Sequence, residues 1–267
     1  MPHTRINGAS LHYQFDGAES APVILFSNSL GTNLHMWDAQ IPALSKTYRV
    51  LRYDSRGHGQ SEATPGPYTI EMLGKDAIGL LDALDIRRVL FCGLSLGGVI
   101  AQWLGVHARD RFNAIVISNS AAKIGNDDFW NKRIEKLREG GIAPVAEAQL
   151  LRWFTAKYVA ANPDVIERMK QMFVATPVDG YIATCEAIRD SDLRGAINHI
   201  QTPTLVIAGA HDVVTPPADG KFMAVGIPGA QYAEMNASHL SNIEDAEAFT
   251  TTLIKFLTRR RRSNGRA

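Results

Sequence analysis

The segment that most constrains this chain is Gly93-Leu94-Ser95-Leu96-Gly97, a G-x-S-x-G pattern. The apolar run 89–92 before it predicts a buried strand, and residues 98–104 after it are typical of the start of a helix. A strand that passes straight into a helix across a serine needs a sharp, strained turn. Gly93 and Gly97 stand where a Cβ would collide with the neighbouring segment. The pattern therefore predicts a serine hydroxyl exposed above a helix N-terminus, where negative charge is favoured.

Strand-like and helix-like segments alternate along most of the chain. A hairpin is predicted over 6–15, with Asn7-Gly8 as its tight turn. Further strands are predicted at 22–26, 48–53, 89–92, 114–118, 204–209 and 231–235, and helices at 37–44, 68–84, from 98, and at 243–257. This alternation predicts an α/β fold with a doubly wound, mostly parallel sheet.

The pattern changes between residues 123 and 195, where no strand-type run occurs and apolar residues recur at helical spacing. We expect an inserted cap of short helices there. The predicted organisation is a core formed by residues 1–122 and 196–262, a helical cap at 123–195, and a flexible C-terminal tail at 263–267.

Length and charge limit the class of protein. A chain of 267 residues fits one large domain, and its net charge of +1 gives no strong field for nucleic acid. Without an N-terminal leader or an 18-residue apolar run, we expect a cytoplasmic protein with no membrane segment. Cys92 and Cys185 are expected to be buried thiols of a reducing compartment. The arginine run 259–262 is expected to be a solvated tail after the last helix.

A serine nucleophile needs a base, and in a doubly wound sheet its partners lie on loops that follow later strands. Asp212 follows the strand at 204–209, and His239 follows the strand at 231–235. Ser95, Asp212 and His239 are therefore the predicted nucleophile, orienting acid and general base. The alternatives are Asp219 for the acid, and His211 or His199 for the base. His58 is expected to pack under the nucleophile.

The tetrahedral intermediate of acyl transfer needs hydrogen-bond donors for its oxyanion. The backbone N–H of Leu96, directly after the nucleophile, is one candidate, and the N–H of Leu30, in the polar loop after the strand at 22–26, is the other. The sequence shows no metal-ligand spacing, no phosphate loop and no complete dinucleotide fingerprint, so neither a metal nor a cofactor is expected.

The chain resembles the α/β-hydrolase superfamily, which shares the order Ser95, Asp212, His239. Within it, the chain is similar to the 3-oxoadipate enol-lactonases. Most relatives begin the oxyanion loop with His-Gly, whereas this chain has Asn28-Ser29, as is usual for enol-lactonases. The segments that carry the resemblance are 27–32, 51–59, 91–98, 152–155, 185–188 and 237–244.

The resemblance implies hydrolysis of 3-oxoadipate enol-lactone, a small anionic lactone, to 3-oxoadipate in aromatic catabolism. The substrate's carboxylate requires a cation, and Arg133 stands where the family's cap carries an arginine. Trp130 and Trp153 would then line the pocket. Three alternatives stay open: a carboxylesterase, a C–C bond hydrolase of aromatic degradation, and a ligand receptor with a silent triad. The oligomeric state is not predicted.

Overall fold

The computed structural model describes residues 2–264, and the side chains of residues 2–258. Eight strands within this part of the chain form one sheet, ordered β1-β2-β4-β3-β5-β6-β7-β8. β2 pairs antiparallel with both of its neighbours, and every other adjacent pair is parallel. The predicted mostly parallel α/β sheet is thus confirmed. The strands are β1 (His3–Ile6), β2 (Ala9–Asp16), β3 (Val23–Ser27), β4 (Arg49–Tyr53), β5 (Val89–Leu94), β6 (Phe112–Ser118), β7 (Thr204–Gly209) and β8 (Gln231–Met235).

The α-helices within the described residues are α1 (Ile41–Leu44), α2 (Ile70–Ala83), α3 (Leu96–His107), α4 (Asp127–Gly140), α5 (Ala146–Trp153), α6 (Ala156–Ala161), α7 (Pro163–Val174), α8 (Val178–Arg189), α9 (Pro217–Gly226), α10 (Ser241–Glu244) and α11 (Ala246–Asn264). Short 3₁₀ segments lie at Leu34–Gln40, Arg109–Arg111, Ala143–Val145 and Ile197–His199. The helix expected at 37–44 is therefore 3₁₀ in its first half, and α1 forms its second half as a single α-turn.

The first two strands form the expected hairpin. Ile6 pairs with Ala9, so only Asn7 and Gly8 make the turn. Both have positive φ, 47° and 81°, which is the conformation that a two-residue type I′ turn requires.

β5 lies in the interior of the sheet between β3 and β6, and all six of its residues are buried. A strand covered on both faces has an apolar side chain at nearly every position, as 89–92 does. α3 begins two residues after β5 ends and packs back against β5 and β6. The short connection places Ser95 at the carboxyl end of a central strand.

The segment 123–195 lies between β6 and β7 and contains α4 to α8 and one 3₁₀ segment, with no strand among its residues, all of which are described. In α4 the apolar face Trp130, Ile134 and Leu137 is buried, and α4 packs against α8. The helical content expected at 123–195 is confirmed, and the division of the chain into core and cap stays a prediction.

The C-terminal region differs from expectation in two ways. The single helix predicted at 243–257 is interrupted at Asp245, which separates α10 from α11. α11 extends to Asn264, so the arginine run 259–262 lies within the helix and not after it. Of the predicted tail, 263–264 are helical and 265–267 lie outside the described residues. No helix in the described part of the chain is long and apolar enough to cross a bilayer.

Candidate active site

The turn between β5 and α3 holds Ser95 in a strained conformation, with φ 57° and ψ −110°. The adjacent glycines make this turn possible. A Cβ on Gly93 would overlap the carbonyl of Gly97, and a Cβ on Gly97 would overlap the carbonyl of Ser27. Ser95 is the N-cap of α3, so its hydroxyl lies beside the helix N-terminus, where negative charge is favoured.

The structure brings Ser95, His239 and Asp212 together from three separate loops. His239 Nε2 lies 2.9 Å from Ser95 Oγ, and His239 Nδ1 lies 2.8 Å from Asp212 Oδ2. Both His239 and Asp212 are at least 96% buried. The geometry suits proton transfer from the serine hydroxyl to a histidine whose other nitrogen is fixed by a carboxylate.

The Asp212 carboxylate accepts hydrogen bonds from its own loop and from the residue that follows β6. Oδ1 accepts from the backbone N–H of Val214 at 2.8 Å and of Thr215 at 3.0 Å. Oδ2 accepts from Thr215 Oγ1 at 2.9 Å and from Asn119 Nδ2 at 3.2 Å. Burial by itself would raise the pKa of Asp212, but His239 and these donors hold the pKa below its usual range. Asp212 therefore stays ionised, and an ionised acceptor favours the tautomer with its proton on Nδ1 of His239.

Asn119 is a site residue that the sequence reasoning missed. It follows β6 directly, has φ 43°, and donates to the carbonyl of Ser238 at 3.1 Å as well as to Asp212. Its Oδ1 accepts from Ser118 Oγ at 2.8 Å and from Ser241 Oγ at 2.5 Å. Asn119 thus joins the acid loop to the histidine loop. The available signal was the polar pair 119–120 directly after the strand predicted at 114–118.

The alternative acids and bases lie elsewhere. His211 Nε2 pairs with Asn236 Oδ1 at 3.0 Å on an exposed surface, and His199 is exposed in a 3₁₀ segment. Asp219 lies in the first turn of α9, where burial and the charge of Asp212 raise its pKa. His58 is buried, and burial lowers its pKa to about 4. Among the described residues, only His239 hydrogen-bonds to Ser95 Oγ.

The two predicted oxyanion donors flank the serine. Leu96 is the first residue of α3, and Leu30 lines the same cavity as Ser95. Neither amide donates to an acceptor within the part of the chain that the structure describes. The Leu30 loop is fixed by Asn28, whose Nδ2 donates to the carbonyl of Tyr53 at 2.8 Å and whose Oδ1 accepts from Trp37 Nε1 at 2.9 Å. The role of both amides stays a prediction.

Ser95 and His239 open into a cavity of about 290 Å³. Trp130, Trp153 and Arg133 all line it, and their roles towards a substrate stay predictions. The remaining lining residues are mostly apolar: Ser29, Leu30, Ile124, Gly125, Asn126, Phe129, Gln149, Arg152, Tyr181, Ile188, Val213 and Val214. A cavity of this size fits a small ligand, and its wall opposite the serine comes from the helical segment 123–195.

Two arginines line this cavity, and the sequence reasoning assigned a role to only one. Arg133 donates from Nε to the hydroxyl of Tyr181 at 3.1 Å, and from an Nη to Gln149 Oε1 at 2.6 Å and to the same tyrosine. Arg152 was missed. Burial, and then the charge of Arg133, lower the pKa of Arg152. Neither arginine forms an ion pair with a described carboxylate.

Two of the segments that carried the family resemblance contact each other. Glu244 accepts from the backbone N–H of Ser238 at 2.9 Å and of Thr155 at 3.3 Å. The backbone N–H of Leu240 donates to the carbonyl of Trp153 at 3.0 Å. The loop that carries His239 is thereby connected to the end of α5, so the cavity wall and His239 are held together.

Comparison with known proteins agrees with this geometry. The α/β-hydrolase fold family matches residues 22–246. Two 3-oxoadipate enol-lactonases of Acinetobacter baylyi are 44% and 42% identical to the chain, over 92% and 90% of each sequence. The crystal structure of the enol-lactonase from Burkholderia xenovorans superposes with a TM-score of 0.95 at 49% identity, covering 96% of this chain and all of that one. The chain belongs to the α/β-hydrolase family.

Proposed function

We propose that this chain is a serine hydrolase that opens 3-oxoadipate enol-lactone to 3-oxoadipate in the catabolism of aromatic compounds. The observation that carries the proposal is the hydrogen-bonded series from Asp212 through His239 to Ser95, at 2.8 and 2.9 Å, opening into a cavity with uncompensated arginines. The likeness to named enol-lactonases at 42–49% identity supports the same substrate.

In the first step, Ser95 Oγ attacks the lactone carbonyl while His239 Nε2 takes the hydroxyl proton. Asp212 stabilises the imidazolium that forms. The backbone N–H groups of Leu30 and Leu96 bind the oxyanion, and one such donor typically contributes about 3 kcal/mol to transition-state stabilisation.

In the second step, the C–O bond of the ring breaks and His239 returns the proton to the leaving enolate oxygen. The leaving group remains attached to the acyl chain, because the bond that breaks belongs to a ring. The resulting enol tautomerises to a ketone, and this removes the nucleophile that could close the ring again. His239 then activates water, which releases the acyl group as 3-oxoadipate. No step uses a metal or a cofactor.

The residues of segment 123–195 are proposed to form a cap that recognises this substrate. Trp130 and Trp153 pack against the ring, and Arg133 attracts the carboxylate of the acetate side chain. The mostly apolar lining of the cavity limits the number of water molecules near the acyl-enzyme before hydrolysis. We retain a cytoplasmic location and the absence of a nucleic-acid partner as proposals from the sequence.

The proposal is tested by following the loss of enol-lactone absorbance with the wild-type protein and with Ser95→Ala. We expect the variant to lose at least about 10⁴-fold in kcat, because the acyl-enzyme cannot form. Fluorophosphonate labelling of the wild type alone would exclude a receptor with a silent triad. Faster turnover of p-nitrophenyl acetate than of the lactone would overturn the assignment in favour of a general carboxylesterase.

A further inference from the structure

A second cavity, of about 300 Å³, adjoins the active-site cavity between α4 and α5. We call it the basic groove, because its lining contains four cations and no acidic residue: Lys132, Arg133, Lys136 and Arg152. Lys132 and Lys136 are exposed, so the groove is open to solvent. Arg133 and Arg152 also line the active-site cavity and belong to the wall that the two cavities share.

The positive charge of the groove is largely uncompensated. Lys132 has one partner, Asp128, at 2.9 Å on the exposed face of α4. Lys136 and Arg152 have no ion pair with any carboxylate in the described residues. Arg152 packs on the ring of Phe129, with its guanidinium carbon 5.0 Å from the ring centroid. Clustered cations beside a partly buried cleft attract anions and raise their local concentration.

The two arginines of the shared wall differ in how many of their donors are free. Arg133 uses Nε and one Nη on the neutral acceptors Tyr181 and Gln149. The guanidinium of Arg152 packs on the ring of Phe129 but donates to no acceptor in the described residues, so the N–H donors along its edge are available. A free guanidinium can bind a carboxylate with two parallel hydrogen bonds, which a guanidinium already held by neighbours cannot do as readily.

We propose that the basic groove is the route by which anionic substrates approach, and that Arg152 binds the substrate carboxylate and makes the site selective for anionic esters and lactones. Arg133 supports this contact from the adjacent position. The inference rests on the proposed function for the identity of the natural substrate, and on the geometry of the groove for its charge selectivity.

The test uses two chromogenic esters with the same leaving group and the same number of acyl carbons: mono-p-nitrophenyl glutarate, which is anionic, and p-nitrophenyl pentanoate, in which a methyl group replaces the carboxylate. In Arg152→Met, the ratio of kcat/KM for the anionic ester to that for the neutral ester should fall about 10- to 100-fold, as expected for the loss of a hydrogen bond to a charged group. Most of this change should be in KM. An unchanged ratio, or equal losses for both esters, would overturn the role of Arg152.

The groove itself is tested by replacing exposed lysines, which leaves the fold intact. In 10 mM salt, Lys132→Gln combined with Lys136→Gln should lower kcat/KM for the anionic ester about 2- to 5-fold, and the difference should vanish in 0.5 M salt. Lys255→Gln, an exposed lysine on α11, is the matched control and should behave as wild type. Wild-type kinetics that do not depend on salt would contradict the proposal.

These outcomes separate the inference from the proposed function. A wild-type protein that prefers the anionic ester through Arg152, yet does not hydrolyse the enol-lactone, would refute the proposed function and support the inference. A wild-type protein that hydrolyses the enol-lactone, with an ester ratio that Arg152→Met leaves unchanged, would refute the inference alone.

Discussion

The two ends of the active-site cavity are built in different ways. At the serine end, the loops after β5, β7 and β8 supply Ser95, Asp212 and His239, and both ring nitrogens of His239 have a partner within the protein. At the opposite end, α4 and α5 supply two arginines that form no ion pair with a described carboxylate. The groups proposed to perform the chemistry thus have their hydrogen-bond partners within the protein, whereas the groups proposed to recognise charge have none that is negatively charged within ion-pair distance among the described residues. Changes at the first end should lower kcat, and changes at the second should raise KM.

After Ser95→Ala, the largest effect is expected for Asp212→Asn. An amide in place of the carboxylate favours the tautomer with the proton on Nε2 of His239, which then cannot accept the proton of Ser95. We expect kcat for the enol-lactone to fall about 10³- to 10⁴-fold with KM little changed. The measurement is steady-state kinetics on the purified variants.

The control for this prediction is Asp219→Asn, which replaces the alternative acid considered from the sequence. Asp219 lies in α9 and its pKa is raised in part by the charge of Asp212, so it senses the site without contacting His239. Its variant should retain wild-type kcat within about twofold, as a substitution outside the catalytic contacts does. If Asp219→Asn lost activity and Asp212→Asn kept it, the acid would have to be reassigned.

A smaller effect is expected for Arg133→Met at the recognition end. The variant removes a cation from the cavity wall, so KM for the anionic lactone should rise about 10-fold or more while kcat changes little. Arg138→Met is the matched control, because Arg138 lies on the same helix and pairs with Glu186 at 3.0 Å. Unchanged kinetics in Arg133→Met would show that Arg133 does not bind the substrate. A drop in kcat alone would contradict the expectation that changes at this end of the cavity affect KM.

The serine end could be predicted from the sequence because its three residues each follow a segment with a recognisable strand pattern. The segments before Ser95, Asp212 and His239 each predicted a strand, the first two as apolar runs, and all three were confirmed as β5, β7 and β8. Residues that follow parallel strands must meet at the same edge of the sheet. Three positions in one-dimensional order were therefore enough to predict one site in space.

The rest could not be predicted, because it depends on how helices pack. The residue pattern of α4 and α5 does not indicate that Arg133 and Arg152 line the same wall. The distance between the two side chains depends on the angle between the two helices. Asn119 was missed because its role appears only when β6 lies beside β7. The break at Asp245 was missed because the apolar pattern continues across it, whereas the chain there turns from α10 into α11.

The smallest effect concerns stability and contrasts two buried histidines. His239 is bonded at both ring nitrogens, whereas His58 has Nδ1 3.3 Å from the carbonyl of Arg56 and, among the described residues, no partner for Nε2. Burial lowers the pKa of His58 from 6.5 to about 4. Between these values the unfolded chain binds a proton at this position and the folded protein does not.

Stability should therefore be fully present above pH 6.5 and decline as the pH falls towards 4, by about 3 kcal/mol from this group. In His58→Leu this contribution disappears, so the difference in the free energy of unfolding between pH 7.5 and pH 5 should shrink by about 2 kcal/mol relative to wild type. Urea unfolding at the two pH values measures it. Other titrating groups cancel in the comparison, and so does the constant effect of the substitution on packing. An equal pH dependence in both proteins would mean that the pKa of His58 is the same in the folded and the unfolded chain. The lack of a partner for Nε2 would then not indicate a neutral histidine.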